Sequence, residues 1–553
     1  MIFFAKKKFT NSLAIMKFWH TVRYLQPRQI YYRIRYLLLP PKLAKRIADR
    51  PQMSHTRLAS GVIRPHSYLG NGCFLFLNQE YDFGNEIDWS GRALPRLWQY
   101  NLHYFDYLNQ PEVDLTSGLS LIRHWIHNNP ARSNSAGWEP YPISLRIVNW
   151  VKFFSRWGNI PEEAKASLLL QTINLKRQIE YHIGGNHLWA NGKALWFAGI
   201  FLRKPEFAAM GKNIILKEID RQFLPDGGHF ELSPMYHAIL TEDLLDLINL
   251  CKNSAQPKNE QNLSILKIKA SKAMGWLGAL IDDKGLFPLL NDAAFGVAPS
   301  YAELLEYAHQ LGVNSRLGEV ETVSLGPWSG KHLSGYWVLN NGPFRVIWDA
   351  ARLGPDHLLG HAHCDMLSVL LDFEGQNIWT DTGVSRYEEG EQRQYERGTS
   401  AHNTVILDGL EQAELWKSFR VGRRGYPKNF SREGLTLRCS HSGFEIWQSG
   451  LSHERLLTFF DDGFELVDNV KGPGHHRFKA FFHFAPEVCL EPYGEGSYLI
   501  NKRLLLKVWG AEPIITTSAY CPEFGKVLER PCLTLNREFR QQHSFGLKCT
   551  SFS

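Results

Sequence analysis

The chain has no apolar run of about 18 residues or more, so no membrane-spanning helix is expected. Its start, Met1-Ile-Phe-Phe-Ala-Lys-Lys-Lys, places apolar residues before charge, the reverse of a secretory signal. The eight Cys include no Cys-x-x-Cys pair and no regular spacing, which argues against a disulfide framework and a zinc ribbon. Low-complexity tracts are missing, and no repeat of fixed period suggests a regular solenoid. Acidic residues are almost missing from the first 50 positions, where twelve Lys/Arg face Asp49 alone. The whole chain carries +7, so everything beyond that arm is net negative, and a nucleic-acid partner has no basic patch to bind.

At 553 residues, two to four domains are expected. The basic arm, residues 1–70, contains Gln29-Ile-Tyr-Tyr-Arg-Ile-Arg-Tyr-Leu-Leu-Leu39, which mixes bulky apolar residues with cations. A helix docked on the body with its charges solvated is the favoured reading. Peripheral contact with an anionic membrane surface or an anionic polymer is the other. Residues 71–320 are read as a helical domain, with apolar residues recurring every three or four positions from about 115 to 312. The helices expected are Pro161–Ile183, Leu188–Leu202, Phe207–Phe223, Met235–Lys252 and Leu263–Ile281. Short turns between them imply antiparallel packing, as a solenoid or a closed ring of helical hairpins. Short β-branched and aromatic segments dominate from about residue 330 to 553 and predict an antiparallel β-sandwich, with the boundary in Gly312–Ser334. The fold class is therefore multidomain, α then β. Aromatic residues make up 13% of the chain, and most are assigned to cores, with a smaller share to a sugar-binding cleft.

Two constellations carry chemistry. Gly360-His361-Ala-His363-Cys-Asp365 leads into an expected strand, Met366–Phe373, where residues two apart share a face. A hairpin at Glu374-Gly375-Gln376 would return Asp381, and His402 precedes a further strand. Two imidazoles and a carboxylate on neighbouring strands make a zinc site, or else a set of hydrogen-bonded histidines. In the helical half, Gly184-Gly185-Asn186-His187 and the run Leu224 to His237, which includes Tyr236, place polar groups at helix starts. Helix capping and functional presentation are the two readings of these.

The strings Gly185-Asn-His-Leu-Trp-Ala-Asn-Gly-Lys-Ala-Leu, Gln222-Phe-Leu-Pro-Asp-Gly-Gly-His-Phe-Glu-Leu-Ser-Pro-Met-Tyr-His, Gly360-His-Ala-His-Cys-Asp, Thr380-Asp-Thr-Gly and Arg397-Gly-Thr-Ser-Ala-His-Asn-Thr-Val resemble heparinase II/III-type polysaccharide lyases in content and order. Trp98–Tyr107 and Gly137–Ile147 resemble the same family's helical region. The resemblance implies an incomplete (α/α) toroid followed by an antiparallel β-sandwich. It implies β-elimination on a uronate-containing or glycosaminoglycan polymer. Tyr236 would serve as base and acid, His361 would be its partner, and Asn186 or His187 would bind the uronate carboxylate. It assigns His363, Asp381 and His402 to a divalent metal, usually zinc, with a structural role. Arg146, Arg393 and Arg397 are candidate anion clamps. Two rivals remain: a hydrolase using carboxylates among Asp226, Glu231, Glu242 and Asp243, and a non-catalytic binder of an acidic surface glycan. The reaction class suggests the cell envelope or periplasm, whereas the missing signal suggests a cytoplasmic or membrane-surface protein.

Overall fold

Proline at the first helical turn, where its missing N–H costs nothing, starts four helices of this chain. A computed structural model describes all residues except 1–11, 49–50, 55, 133–134, 159, 255–259, 315–319, 321 and 553. Lys6, Lys7, Lys8, Asp49 and Arg50 of the basic arm, and part of the expected boundary Gly312–Ser334, lie outside the described residues.

Two helices, α1 (Ser12–Val22) and α2 (Pro27–Leu38), come first. A three-stranded antiparallel sheet follows over Tyr68–Gly70, Cys73–Phe76 and Gln79–Asp82, at the start of the segment assigned to the helical domain from residue 71. Its two tight turns contain Asn71, Gly72, Leu77 and Asn78, all with positive φ, which closes hairpins and prevents a helix. The helical body is α3 (Arg96–Tyr104), α4 (Leu115–Asn128), α5 (Pro140–Trp157), α6 (Glu162–Arg177), α7 (Gly185–Phe201), α8 (Pro205–Gln222), α9 (Pro234–Asn253), α10 (Glu260–Leu280) and α11 (Tyr301–Gln310). This is the toroid. Within α7 every residue but His187 is buried, and its one lysine, Lys193, is paired with Asp243 and Asp246. It lies against α8 at Gly211, where an added Cβ would stand 2.3 Å from the Trp196 nitrogen, so the two backbones approach through glycine. Trp98, Trp125, Trp150 and Trp189 are fully buried, so much of the aromatic excess is core.

The expected helix from Pro161 to Ile183 stops at Arg177. Asn191 accepts the Glu180 N–H and Gln29 donates to the Ile183 carbonyl, which holds the connecting turn out of helical geometry.

The β-sandwich pairs a six-stranded sheet, built in chain order from Thr322–Leu325 to Gln376–Trp379, with a ten-stranded sheet centred on Gly463–His483 and Lys526–Ser551. Ser452–Phe460 alternates buried and half-exposed residues along its whole length, the period-two signature of a sheet with one covered face. Inward side chains such as Val346, Trp348, Leu457, Phe464 and Leu547 form the sandwich core. The other face of the six-stranded sheet packs on the toroid, where Tyr336, Ile347 and Leu370 meet Leu232, Trp276 and Leu290. A fixed seam between the two halves results, and the candidate site lies along it.

The hairpin at Glu374-Gly375 is present, with both residues at positive φ. The strand expected from Met366 begins only at Val369, and residues 360–368 form an irregular loop. The strand after His402, Val405–Leu407, pairs in the ten-stranded sheet rather than beside Val369–Phe373.

Candidate active site

Four chain segments converge at the seam: the start of α7, the approach to α9, the turn at Asn291-Asp292, and the loop carrying His361 and His363. Each is anchored locally. Ser233 caps α9, its hydroxyl accepting the Tyr236 N–H, and so fixes Tyr236 in the first turn. Gly184 is the N-cap of α7, so Asn186 does not cap it. Gly185 has φ of +53°, and a Cβ there would lie 2.3 Å from Leu358 and 2.7 Å from the Glu231 carboxylate. The position therefore requires glycine.

Tyr236 and His361 lie ring against ring, with centroids 4.0 Å apart and planes tilted by 31°. The Tyr236 hydroxyl meets the Tyr387 hydroxyl at 3.1 Å. Burial, and after it the neighbouring Tyr387, push the Tyr236 phenol well above its ordinary pKa, so it rests as a proton donor. His361 Nδ1 lies 2.8 Å from Asp292 Oδ2, and its Nε2 is 3.5 Å from Glu231 Oε2. His361 thus spans two carboxylates, with Nδ1 donating to Asp292 and Nε2 turned toward Glu231. Burial raises the Glu231 pKa against the opposing pull of His361.

Asp292 is the hub. Its two oxygens also accept from His363 Nε2 at 2.8 Å and from both terminal nitrogens of Arg393 at 2.5 and 2.8 Å. Burial alone would raise its pKa; the Arg393 guanidinium and the two histidines hold it well below the carboxylate range. Backbone contacts join the same two segments, since the Asp292 N–H donates to the His361 carbonyl and the His363 N–H to Asn291 Oδ1.

Asn186 is buried, and its N–H reaches Glu231 Oε1 at 3.4 Å. His187 stacks on Tyr141 at 4.5 Å and bonds through Nδ1 to Glu180 at 2.9 Å. Burial lowers the His187 pKa, but Glu180 outweighs it and the net shift is upward. His187 keeps part of its ring exposed. A protonated imidazole there suits a carboxylate ligand.

His363, Asp381 and His402 are neighbours. The two imidazole centroids are 5.3 Å apart, and Asp381 holds His402 Nδ1 at 2.9 Å. Among the described residues, no three His, Cys, Asp or Glu side chains are gathered closely enough to hold a metal as they stand. Yet His363 Nδ1, His402 Nε2 and Asp365 Oδ2 are buried with no hydrogen-bond partner, the condition of donors suited to a cation. Burial brings His363 down to about 4, against the opposing Asp292, so its ring is neutral and able to ligate.

The three arginines are committed to protein groups. Arg146 donates to Gln171 and to the carbonyls of His103 and Gly137, deep in the helical core. Arg393 binds Asp292, and Arg397 donates to the carbonyls of Ala362, Lys417 and Ser418. Among the four carboxylates of the hydrolase reading, Glu242 pairs with Arg64 and Lys152, Asp243 with Lys193, and Asp226 accepts from Ser334. Glu231 alone of the four lies beside His361.

Asp292, Tyr387 and Glu180 have no role in the sequence reading. The available signal for Asp292 was Asn291-Asp292 inside the apolar run Phe287–Phe295, a polar pair that the structure buries completely.

Comparisons place this geometry among known proteins. A heparin-sulfate lyase of Bacteroides thetaiotaomicron is 23% identical over 467 residues, covering 74% of this chain and 64% of that protein. One of Pedobacter heparinus is 24% identical over 371 residues, covering 59% of this chain and 55% of that one. The chain thus spans less than two thirds of these curated relatives. A crystal structure of heparinase III superposes with a TM-score of 0.67 at 17% identity, covering 96% of this chain and 93% of that one, and so shares the fold. The model of the heparinase II/III N-terminus matches residues 29–295 and that of the heparinase II/III-like C-terminal region matches 326–542, so the chain belongs to the heparinase II/III-like family.

Proposed function

We propose that the protein is a polysaccharide lyase that cleaves an acidic, uronate-containing glycan by β-elimination. The observation that carries this reading is the Tyr236–His361 pair, ring against ring, with His361 Nδ1 fixed on Asp292. The relatives' names as heparin-sulfate lyases support a glycosaminoglycan-like polyanion as substrate.

β-Elimination removes the proton α to the carboxylate, breaks the bond to the glycosidic oxygen and protonates that oxygen, leaving a double bond conjugated to the carboxylate. In this reading His361 Nε2 takes the proton on one uronate epimer, and the Tyr236 hydroxyl donates to the leaving oxygen. On the other epimer His361 would first accept the phenol proton, and Tyr236, then a phenolate, would take the α-proton and return it to the leaving oxygen. His187, with Asn186, faces the substrate carboxylate and opposes the charge that builds on it. Glu231 sets the field at Nε2.

A divalent metal, zinc by the family resemblance, belongs to the same reading. His363 and His402 would supply its nitrogens, and Asp381 fixes the His402 ring as a carboxylate partner does. When bound, it would tie together the loops that carry His361, a structural role.

Incubation with uronate-containing polymers is expected to release an unsaturated sugar absorbing in the ultraviolet, and Tyr236→Phe to abolish that signal. New reducing ends without the chromophore would replace this reading with hydrolysis. Binding without turnover on every acidic glycan would replace it with a glycan-binding role.

A further inference from the structure

The N-terminal helices combine features that the lyase chemistry does not use. Residues 12–48 hold eight Lys/Arg and no Asp or Glu. On α2 the body-facing side is Gln29, Tyr32 and Tyr36, a helical spacing of three and four. Gln29 donates to the carbonyls of Ile183 and His357, and Tyr36 to that of Ile179, while Tyr32 packs on Tyr181 at 4.6 Å. The opposite side is Ile30, Tyr31, Ile34, Leu37 and Leu38, all exposed. Helix α1 repeats the pattern with Ile15, Met16 and Trp19. Exposure rises to 61% at Trp19 and Leu37, 70% at Leu38 and 72% at Leu39.

Large apolar side chains held in water on one side of two consecutive helices mark an interaction surface. Beside them is a cavity of about 470 Å³ between α2 and the end of α6. Arg35, Lys42, Lys176 and Arg177 line it together with tyrosines such as Tyr32 and Tyr181, and no carboxylate is among its lining residues. It is therefore suited to an anionic group at the edge of an apolar surface.

We propose that α1 and α2 form an in-plane anchor for an anionic phospholipid bilayer. The exposed stripe enters the acyl boundary, and the cavity receives a lipid phosphate. Among the described residues no helix is long and apolar enough to cross a membrane, which suits contact at the surface. The charge pattern selects this occupant over a second copy of the chain, since two such faces would oppose cation to cation. The anchor also sets the position of the cleft. Gln29, on the inner side of α2, binds Ile183, next to the Gly184–His187 segment. One helix, about 10 Å across, thus separates the bilayer-facing stripe from that wall of the site. The inference does not depend on the lyase reading, because its test measures binding without turnover.

The test is co-sedimentation of the full chain with phosphatidylcholine vesicles, with and without phosphatidylglycerol, at low and high salt. Binding is expected only with phosphatidylglycerol and should weaken with salt. Arg35→Gln and Lys42→Gln should each lower the partition constant about fivefold. Leu37→Asp with Leu38→Asp should lower it by more than about tenfold. These residues are exposed, so unchanged melting curves will show that the variants fold. Failure to bind, equal binding to neutral vesicles, or full binding by the double aspartate variant would each overturn the anchor. So would a dimer in light scattering that the aspartates dissolve, which would assign the face to a second copy. Binding that is lost on removal of residues 1–11 would assign it to that segment instead.

Discussion

Replacing Asp292 by Asn keeps the shape of the hub and removes its charge. The carboxylate accepts four hydrogen bonds, two on each oxygen, from His361, His363 and Arg393. An amide keeps one acceptor oxygen and turns two N–H donors toward groups that themselves donate. Arg393, fully buried, loses its counterion. Removing one member of a buried ion pair costs about 3–5 kcal/mol. The loss should fall at the lower end, because Arg393 also donates to the Ser418 carbonyl. The catalytic cost is separate. His361 Nδ1 no longer has a carboxylate to hold its proton, so the basic tautomer at Nε2 is no longer enforced. Loss of a positioned acid–base group lowers turnover by about 10²–10⁴-fold, and kcat should carry nearly all of it. Calorimetric melting reports the first effect and ultraviolet product formation the second. Adding Arg393→Met removes the stranded charge, so the double variant should recover about 1–3 kcal/mol of stability without recovering turnover. If Asp292→Asn melted like the parent and turned over within about twofold of it, the hub assignment would be wrong.

Two further outcomes follow from the same geometry. The His187 pKa is raised, burial being outweighed by Glu180, so its cation is present at low pH and lost as pH climbs through that raised value. KM should therefore rise on the alkaline side, and Glu180→Gln should move that limb toward acid; a KM flat with pH in both proteins contradicts the carboxylate-binding role. Elemental analysis should find a divalent metal in the native protein, lost in His363→Ala and in His402→Ala, with a lower Tm after chelation. A metal-free preparation that melts unchanged contradicts the structural metal.

How much of this was legible from sequence depends on the range of each interaction. Helical and strand periods are local, and both halves were readable: the stripes of α8 through α10 and the alternation of the later strands needed no tertiary information. The histidine pair was readable because its members are two residues apart. Its partner was not, since Asp292 lies 69 positions from His361 and 71 from His363. No period connects them. The same gap explains why Gly360–Asp365 was expected to lead straight into a strand at Met366, whereas residues 360–368 form a loop. In a strand those backbone groups would be committed to a sheet ladder. Here the His361 carbonyl and the His363 N–H are taken by Asp292 and Asn291, so the loop is shaped on the turn of another segment. Each histidine is thereby held twice, by its backbone and by its ring, against one two-residue turn. A change at Asn291 should therefore displace His361 and His363 together, although the hydrogen bonds of its side chain go to the Leu232 carbonyl, the Tyr336 hydroxyl and the His363 backbone.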